Sequence, residues 1–437
     1  MDENDPGGAA APADHDPFAQ KNRFGGIGVV DNPHPRLHEL RSQCPVQHGS
    51  ISGIFGMVGP DNYIFSDDQQ ISVLNWDLAD AGFRNYGQLS NSYYIPYLRD
   101  VIGRTILEMD PPEHHRYRQL IQGAFTKNEM QRWEDEFATT IVNSYLDKLA
   151  PLGRGDLAED FAFHYPIAVT AAAVGLGIDR VEEFYEQATL LTNVSVSTEE
   201  RLAAAKDLGD LVQRLIIERR ANPQQDLISV LTQAKFRNAG ERTDTMLSDE
   251  EIVAFVRLLV PAGAQTTYRS LTNLLYALLT HPEQLEAIRN DRSLIPQAIE
   301  EGLRWDGPLL SFARIATEDL SIGGVDVPKG DVVNLCVHAA NRDPERWENP
   351  DDFDIFRAPQ AHLSFGMGTH TCLGVHFARM EMRVAIELLL DRLPNLRLDP
   401  DADGVQISGL QSRTAVRLPC VWDVPTTTTS DLSESEH

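Results

Sequence analysis

Residues 362–374 read HLSFGMGTHTCLG, and the reading of the whole chain turns on how this stretch folds. Phe365, Gly366 and Gly368 precede Cys372, and Gly374 follows it. Residues 375–393, VHFARMEMRVAIELLLDRL, carry apolar positions at helical spacing. The cysteine therefore stands at the entrance of a helix, where unpaired backbone N–H groups and the helix dipole favour a thiolate. Gly366 and Gly368 admit backbone conformations closed to other residues, so the loop can wrap tightly round sulfur. Gly374 lets a flat group approach the helix backbone. A lone cysteine is more often an inert core residue. A His-x-Cys pair also raises zinc, but no second pair of ligands stands at metal-binding spacing. The combined pattern Phe365-x-x-Gly368-x-x-x-Cys372-x-Gly374 points instead to a cysteine that ligates.

A second informative stretch lies upstream. Ser248 and Glu251 form an S-x-x-E capping box. Apolar residues run from Ile252 to Val260 and resume at Leu271, Leu274, Leu275 and Leu278. This predicts a helix of about 30 residues, long enough to cross a domain. Its first half is apolar nearly all round and is expected to be buried. It should stop near Thr280, with Thr280-x-x-Glu283 capping the next helix. Its middle reads PAGAQTT (261–267). Pro261 lacks an N–H and Gly263 weakens the helix further. The helix is expected to open here, with freed carbonyls and the Thr266 hydroxyl lining a groove. A plain structural kink is the bland alternative.

Segments 128–150, 201–220 and 281–306 also carry helical periodicity. Strand-like pieces stand at 52–57, 63–66, 320–327 and 331–336, the last two joined by Pro328-Lys329-Gly330 as an expected hairpin. The expected architecture is mainly α with small accessory sheets, one domain over residues 20–424. Residues 1–19 read as a loosely attached polar arm and 425–437 as a low-complexity tail.

The formal net charge is -27, which argues against a broad surface for nucleic acid or anionic membrane. The four cysteines are far apart and suit a reducing cytoplasm. No apolar run at the start resembles a signal peptide or membrane anchor.

Taken together, these motifs resemble the cytochrome P450 family, and its soluble bacterial members in particular. The resemblance covers roughly residues 20–424 and implies one triangular, mainly helical domain holding haem b (iron protoporphyrin IX), with Cys372 as the metal ligand. A thiolate on haem iron pushes electron density onto bound oxygen and favours O–O cleavage. Glu301-Gly302-Leu303-Arg304 matches the family's E-x-x-R, 71 residues before Cys372. An i,i+3 pair shares one helix face. In the family it locks to a second arginine, here Arg357 in FDIFR. The haem propionates need cationic partners. The resemblance assigns them to His114 and Arg118 on one side, and to Arg314 and His362 on the other.

In the family, AG-x-(D/E)-T-T sets an acid and an alcohol beside the iron. Here the segment reads Ala262-Gly263-Ala264-Gln265-Thr266-Thr267. Thr266 matches the alcohol, but Gln265 stands where the family has an acid. Glutamine hydrogen-bonds but cannot release and recover a proton near neutral pH. Proton delivery then leans on Thr266 with water, or on an acid elsewhere.

The implied reaction inserts one atom of O2 into a C–H bond of a hydrophobic small molecule, such as a terpenoid, steroid, fatty acid or aromatic compound. Two electrons would come from NAD(P)H through a separate ferredoxin and its reductase. Arg116, Arg379 and Arg383 are candidates for a basic docking patch. Tyr93, Tyr94, Leu98, Phe255, Leu259, Leu309, Leu310 and Phe312 are the expected substrate-pocket residues. Two other readings stand beside this one: a peroxide-driven peroxygenase, and a non-catalytic haem protein that binds or senses an apolar ligand.

Overall fold

The computed structural model describes residues 26–57, 65–177, 180–192, 196–236 and 244–424. The expected arm 1–19 and tail 425–437 lie outside them, as do residues 63 and 64 of one expected strand.

Helices dominate. The central one starts at Asp249, with Ser248 and Glu251 closing the expected capping box. It runs as an α-helix to Val260, widens into a π-helical turn over Pro261–Gln265, and continues as Thr266–Thr280. The widened turn falls where Pro261 withholds an N–H, so the expected opening is a real change of helical pitch. At its far end Thr280 does not cap the next helix. Its hydroxyl donates back to the carbonyls of Tyr276 and Ala277, and the following helix Pro282–Asn290 takes His281 as its N-cap. The single helical run expected over 281–306 is two helices, Pro282–Asn290 and Ile295–Asp306, broken where the Asp291 side chain caps a short turn.

The main core packs the central helix against Val375–Arg392, Ile295–Asp306 and Tyr165–Val174. Trp133, Phe161 and Tyr165 are among its largest wholly buried side chains. Burial of this apolar surface is the dominant stabilising term.

A five-stranded sheet stands beside it, in the order Val46–His48, Gln70–Val73, Val332–Cys336, Ser311–Ala316, Leu89–Ser90. Only the second and third of these pair in parallel. Along Ser311–Ala316, Phe312 and Arg314 share one face because strand side chains alternate. That face looks onto the site.

Two strand expectations are corrected. Residues 52–57 are not a strand: Ile51–Ile54 forms a short helix capped by the Ser50 side chain. The hairpin lies inside 320–327, not between it and 331–336. Leu320–Ile322 pairs with Val325–Val327 across Gly323-Gly324, both at positive φ (58° and 84°). Two successive positive φ values suit the twist of a tight hairpin. Val332–Cys336 instead joins the large sheet.

Candidate active site

The loop around Cys372 is built as its glycines suggest. Gly366 and Gly368 have φ of 63° and 71°. A side chain at Gly368 would stand 3.0 Å from the Phe83 carbonyl. The Cys372 amide donates to the Phe365 carbonyl at 2.8 Å, and helix Val375–Arg392 starts from Gly374. Burial pushes the Cys372 thiol above its ordinary value. The Gly374 amide and the charges of Arg118 and Arg379 pull it back.

The loop is held from behind by an ion-pair lock. Arg304 forks onto Glu301 at 2.7 and 2.8 Å, and Arg357 reaches the same carboxylate at 3.4 Å. Arg304 also donates to the carbonyls of Asn341, Pro350 and Asp352. The Asp354 amide completes the carboxylate's shell at 2.9 Å. Every partner is satisfied, which a buried pair requires. Asn341 then passes the restraint to the cysteine loop. Its side chain accepts from the Leu363 amide at 2.8 Å and donates to the Ser364 hydroxyl at 2.9 Å.

A cavity of about 480 Å³ separates this loop from the opened turn of the central helix. Ala262, Gly263, Thr266 and Thr267 form one wall, and Phe365, Gly366, Cys372 and Gly374 the other. Gly368 supports the loop from behind. The Thr266 hydroxyl donates to the Ala262 carbonyl at 2.5 Å, a group that the widened turn leaves available. Gln265 is half-buried and is not among the lining residues.

One rim of the cavity gathers His114, Arg118, Arg314 and His370. The two imidazoles lie 4.0 Å apart. His114 Nδ1 and His370 Nε2 are buried without a hydrogen-bond partner. Among the described residues, neither Arg118 nor Arg314 is salt-bridged to a carboxylate. Burial first, then the charges of Arg118 and His115, holds His114 at about 4; burial first, then His114, Arg314 and Arg118, holds His370 at about 2. Burial also lowers both arginines, with Arg314 drawn back up by Tyr94 and Asp110. Four such groups converging without an anion form a ready receptor for carboxylates.

His362 is not part of that rim. It lies on the far side of the loop, its Nε2 3.3 Å from Glu300, which also grips Arg379 through two 2.6 Å bonds. The rim position expected of His362 is occupied by His370, which sequence reasoning passed over although it stands two residues before the cysteine.

Of the expected pocket residues, Tyr94, Phe255, Leu259, Leu309 and Phe312 line the cavity. Tyr93, Leu98 and Leu310 do not. Tyr93 stacks its ring on Phe65, at 5.6 Å between centroids. Leu98 packs against the main core. Leu310 is wholly buried on the opposite side, with Leu37, Leu40 and Leu74. Two of the three docking arginines are already neutralised. Arg379 pairs with Glu300, and Arg383 pairs with Glu134 and Glu387, while Arg116 is exposed and donates to Thr245.

One buried acid went unread in the sequence. Glu381 is wholly buried on helix Val375–Arg392, and burial pushes its carboxyl well above the usual range. The available signal was an acid set between apolar residues, Met380 and Met382, in a core helix.

Comparison with known proteins agrees with this geometry. The family model Cytochrome P450 matches residues 178–408. The chain is 37% identical over 306 residues to cytochrome P450 107B1 of Saccharopolyspora erythraea, covering 70% of this chain and 74% of that protein. It is 34% identical over 376 residues to the biotin biosynthesis cytochrome P450 of Bacillus subtilis, covering 84% and 91%. Among solved structures, it resembles CYP109E1 of Bacillus megaterium in complex with testosterone, with a TM-score of 0.78 and 29% identity over 90% of this chain and 100% of that one. P450BioI in complex with an acyl carrier protein carrying hexadec-9Z-enoic acid gives a TM-score of 0.77 and 30% identity, over 90% and 99%. Among the described residues no helix is long and apolar enough to cross a membrane. A family model spanning more than half the chain, joined to relatives matched along most of their own length, settles the assignment: the chain belongs to the cytochrome P450 family and is a haem-dependent monooxygenase, an oxidoreductase acting on a small molecule with O2.

Proposed function

We propose that this chain is a haem b monooxygenase that hydroxylates a hydrophobic small molecule, drawing two electrons from NAD(P)H through a separate ferredoxin and its reductase. The observation that carries the proposal is the cavity itself: Cys372 faces an opened helical turn, with unpaired cationic groups along one rim. The residues present fit haem. Cys372 would ligate the iron. Arg118 and Arg314 would hold the propionates, and the orphaned nitrogens of His114 and His370 would gain acceptors. Cys44, Cys336 and Cys420 are absent from the lining, so nothing there would tether the haem covalently. That supports haem b.

When bound, the haem supplies the iron centre at which O2 is activated. The protein's own contributions are positional. The Thr266 hydroxyl, now resting on the Ala262 carbonyl, is placed to order a water between the two walls. Phe255, Leu259, Leu309 and Phe312 exclude bulk water and hold an apolar substrate. The ligands in the CYP109E1 and P450BioI complexes, a steroid and a fatty acyl chain, support a hydrophobic substrate from the terpenoid, steroid, fatty-acid or aromatic classes. Because Arg379 and Arg383 are internally paired, an acidic ferredoxin would find Arg116 as the uncommitted charge among the three.

The test is to screen hydrophobic compounds by haem absorbance and to follow product from each binder. Product that requires NAD(P)H, ferredoxin and reductase supports the proposal. Equal turnover with hydrogen peroxide alone assigns the chain to the peroxygenases, and binding without product to the sensors.

A further inference from the structure

Glu300 and Glu301 are neighbours on helix Ile295–Asp306, and successive helical residues point about 100° apart. Glu301 turns into the buried lock with Arg304 and Arg357. Glu300 turns toward helix Val375–Arg392, where Arg379 forks onto both its oxygens at 2.6 Å. A third group closes the set. His362 Nδ1 accepts from the Ser364 amide at 3.2 Å, which leaves the neutral ring's proton on Nε2, 3.3 Å from Glu300. Burial raises the Glu300 carboxyl, but His362 and Arg379 more than offset this and hold it at about 2, so it is charged at neutral pH.

The Glu300 and Arg379 side chains are 38% and 37% exposed, and an ion pair this open to solvent contributes little to folding. Its position has another consequence. The Arg379 guanidinium lies over the Phe365 ring, 5.0 Å from its centre, within the range at which a cation is attracted to an aromatic face. Phe365 lines the cavity, and its carbonyl accepts the Cys372 amide at 2.8 Å. The Arg379 charge reaches the sulfur itself: with the Gly374 amide and Arg118, it opposes the upward pull of burial on the Cys372 thiol. Among the described residues Glu300 is the one carboxylate paired with Arg379. The charge on Glu300 therefore governs how much of that positive field the sulfur feels.

We propose that Glu300 sets the reduction potential of the bound haem, by neutralising Arg379 behind Phe365 and so keeping the Cys372 thiolate electron-rich. The proposal deepens the reading of Cys372 as the iron's ligand and rests on it. Glu300 is a positioning residue that acts through Arg379. The step it bears on is the transfer of one electron from the reduced ferredoxin to the haem iron, ferric to ferrous. No bond or proton changes hands in that step. The reduced haem-thiolate carries one more negative charge than the oxidised one, so an uncompensated Arg379 favours the reduced form. An electron-rich thiolate in turn favours O–O cleavage.

The experiment titrates the holoenzyme between its ferric and ferrous forms with redox dyes. Glu300→Gln keeps the shape of the side chain and removes its charge. It should shift the equilibrium about three- to tenfold toward the ferrous form, roughly 30–60 mV more positive at about 59 mV per factor of ten. Arg379→Gln should move the potential the other way, and the double variant should lie near the wild type. Glu300→Asp keeps the charge and should recover most of the wild-type potential. Asp210→Asn, which strips a carboxylate from the exposed pair with Lys206, should not move it. The iron–sulfur stretch in resonance Raman spectra should fall in Glu300→Gln and rise in Arg379→Gln, a split by sign that a purely structural role would not give. A Glu300→Gln potential equal to the wild type or more negative, or a double variant as far positive as Glu300→Gln alone, overturns the proposal. If Glu300→Gln does not fold, Arg379→Gln decides it, and an unchanged or raised potential there overturns it. Reduced, carbon-monoxide-treated protein without thiolate-type absorption sinks the Cys372 reading, whereas flat potentials across variants that keep that absorption sink this proposal alone.

Discussion

Replacing His370 with alanine should loosen haem far more than replacing His362. His370 Nε2 is buried without a partner on the rim it shares with His114, Arg118 and Arg314. A propionate there would favour a second proton on the ring and accept the Nε2 N–H, a hydrogen bond between charged groups worth about 1.5–3 kcal/mol. Its loss corresponds to roughly 10- to 150-fold weaker haem retention, at about 1.4 kcal/mol per factor of ten. His362→Ala removes the 3.3 Å contact to Glu300, which keeps both bonds from Arg379, and the 3.2 Å hydrogen bond that its Nδ1 accepts from the Ser364 amide. His362 does not line the cavity, and an ion pair open to solvent on its Glu300 side is worth under about 1 kcal/mol, so haem affinity should change by less than about fivefold. His370→Gln keeps an N–H donor and should fall between the two. Haem transfer to an excess of apomyoglobin, followed by absorbance, measures all three. Equal loss from both alanine variants, or greater loss from His362→Ala, would refute the placement of His370 on the haem rim.

Two further outcomes follow from the same geometry. Burial holds His114 at about 4, below its unfolded value near 6.5, so the unfolded chain takes up a proton first as pH falls. The apoprotein should therefore hold its full His114 contribution above about pH 6.5 and lose it progressively toward pH 4. His114→Gln should flatten that slope in urea titrations, and bound haem, by supplying carboxylates, should flatten it in the wild-type protein. Glu301→Gln should leave Arg304 and Arg357 facing a neutral group in the core, costing about 3–5 kcal/mol. Chemical denaturation of the purified variant measures this, and a cost under about 1 kcal/mol would show that the lock is dispensable.

What could be read from the chain alone was chemistry confined to a few neighbouring residues. The glycine-bounded cysteine, the Glu301–Arg304 pair and the Pro261–Gly263 opening each declare themselves within one loop or one helical turn. What could not be read depends on packing between distant segments. His362 and His370 flank the same loop, and only its wrapping around Phe365 decides which of them faces the cavity. Leu309 and Leu310 are chemically alike, but adjacent extended residues point to opposite faces, so one lines the cavity and the other joins a separate core. Pro328-Lys329-Gly330 was as good a turn as Gly323-Gly324 on composition. The sheet partners of Val332–Cys336, which come from residues 70–73 and 311–316, decided between them. Glu381 was hidden because a single acid in an amphipathic helix ordinarily marks its wet face. Only burial against Tyr165–Val174 and the central helix reveals it.

The sulfur of Cys372 is the most direct point of attack. The reduced holoenzyme treated with carbon monoxide should absorb as a thiolate-ligated haem, and Cys372→His should shift it to an imidazole-type spectrum while haem stays bound. A wild-type protein that is folded and haem-loaded, yet gives the imidazole-type spectrum or one that Cys372→His leaves unchanged, would contradict thiolate ligation by this residue.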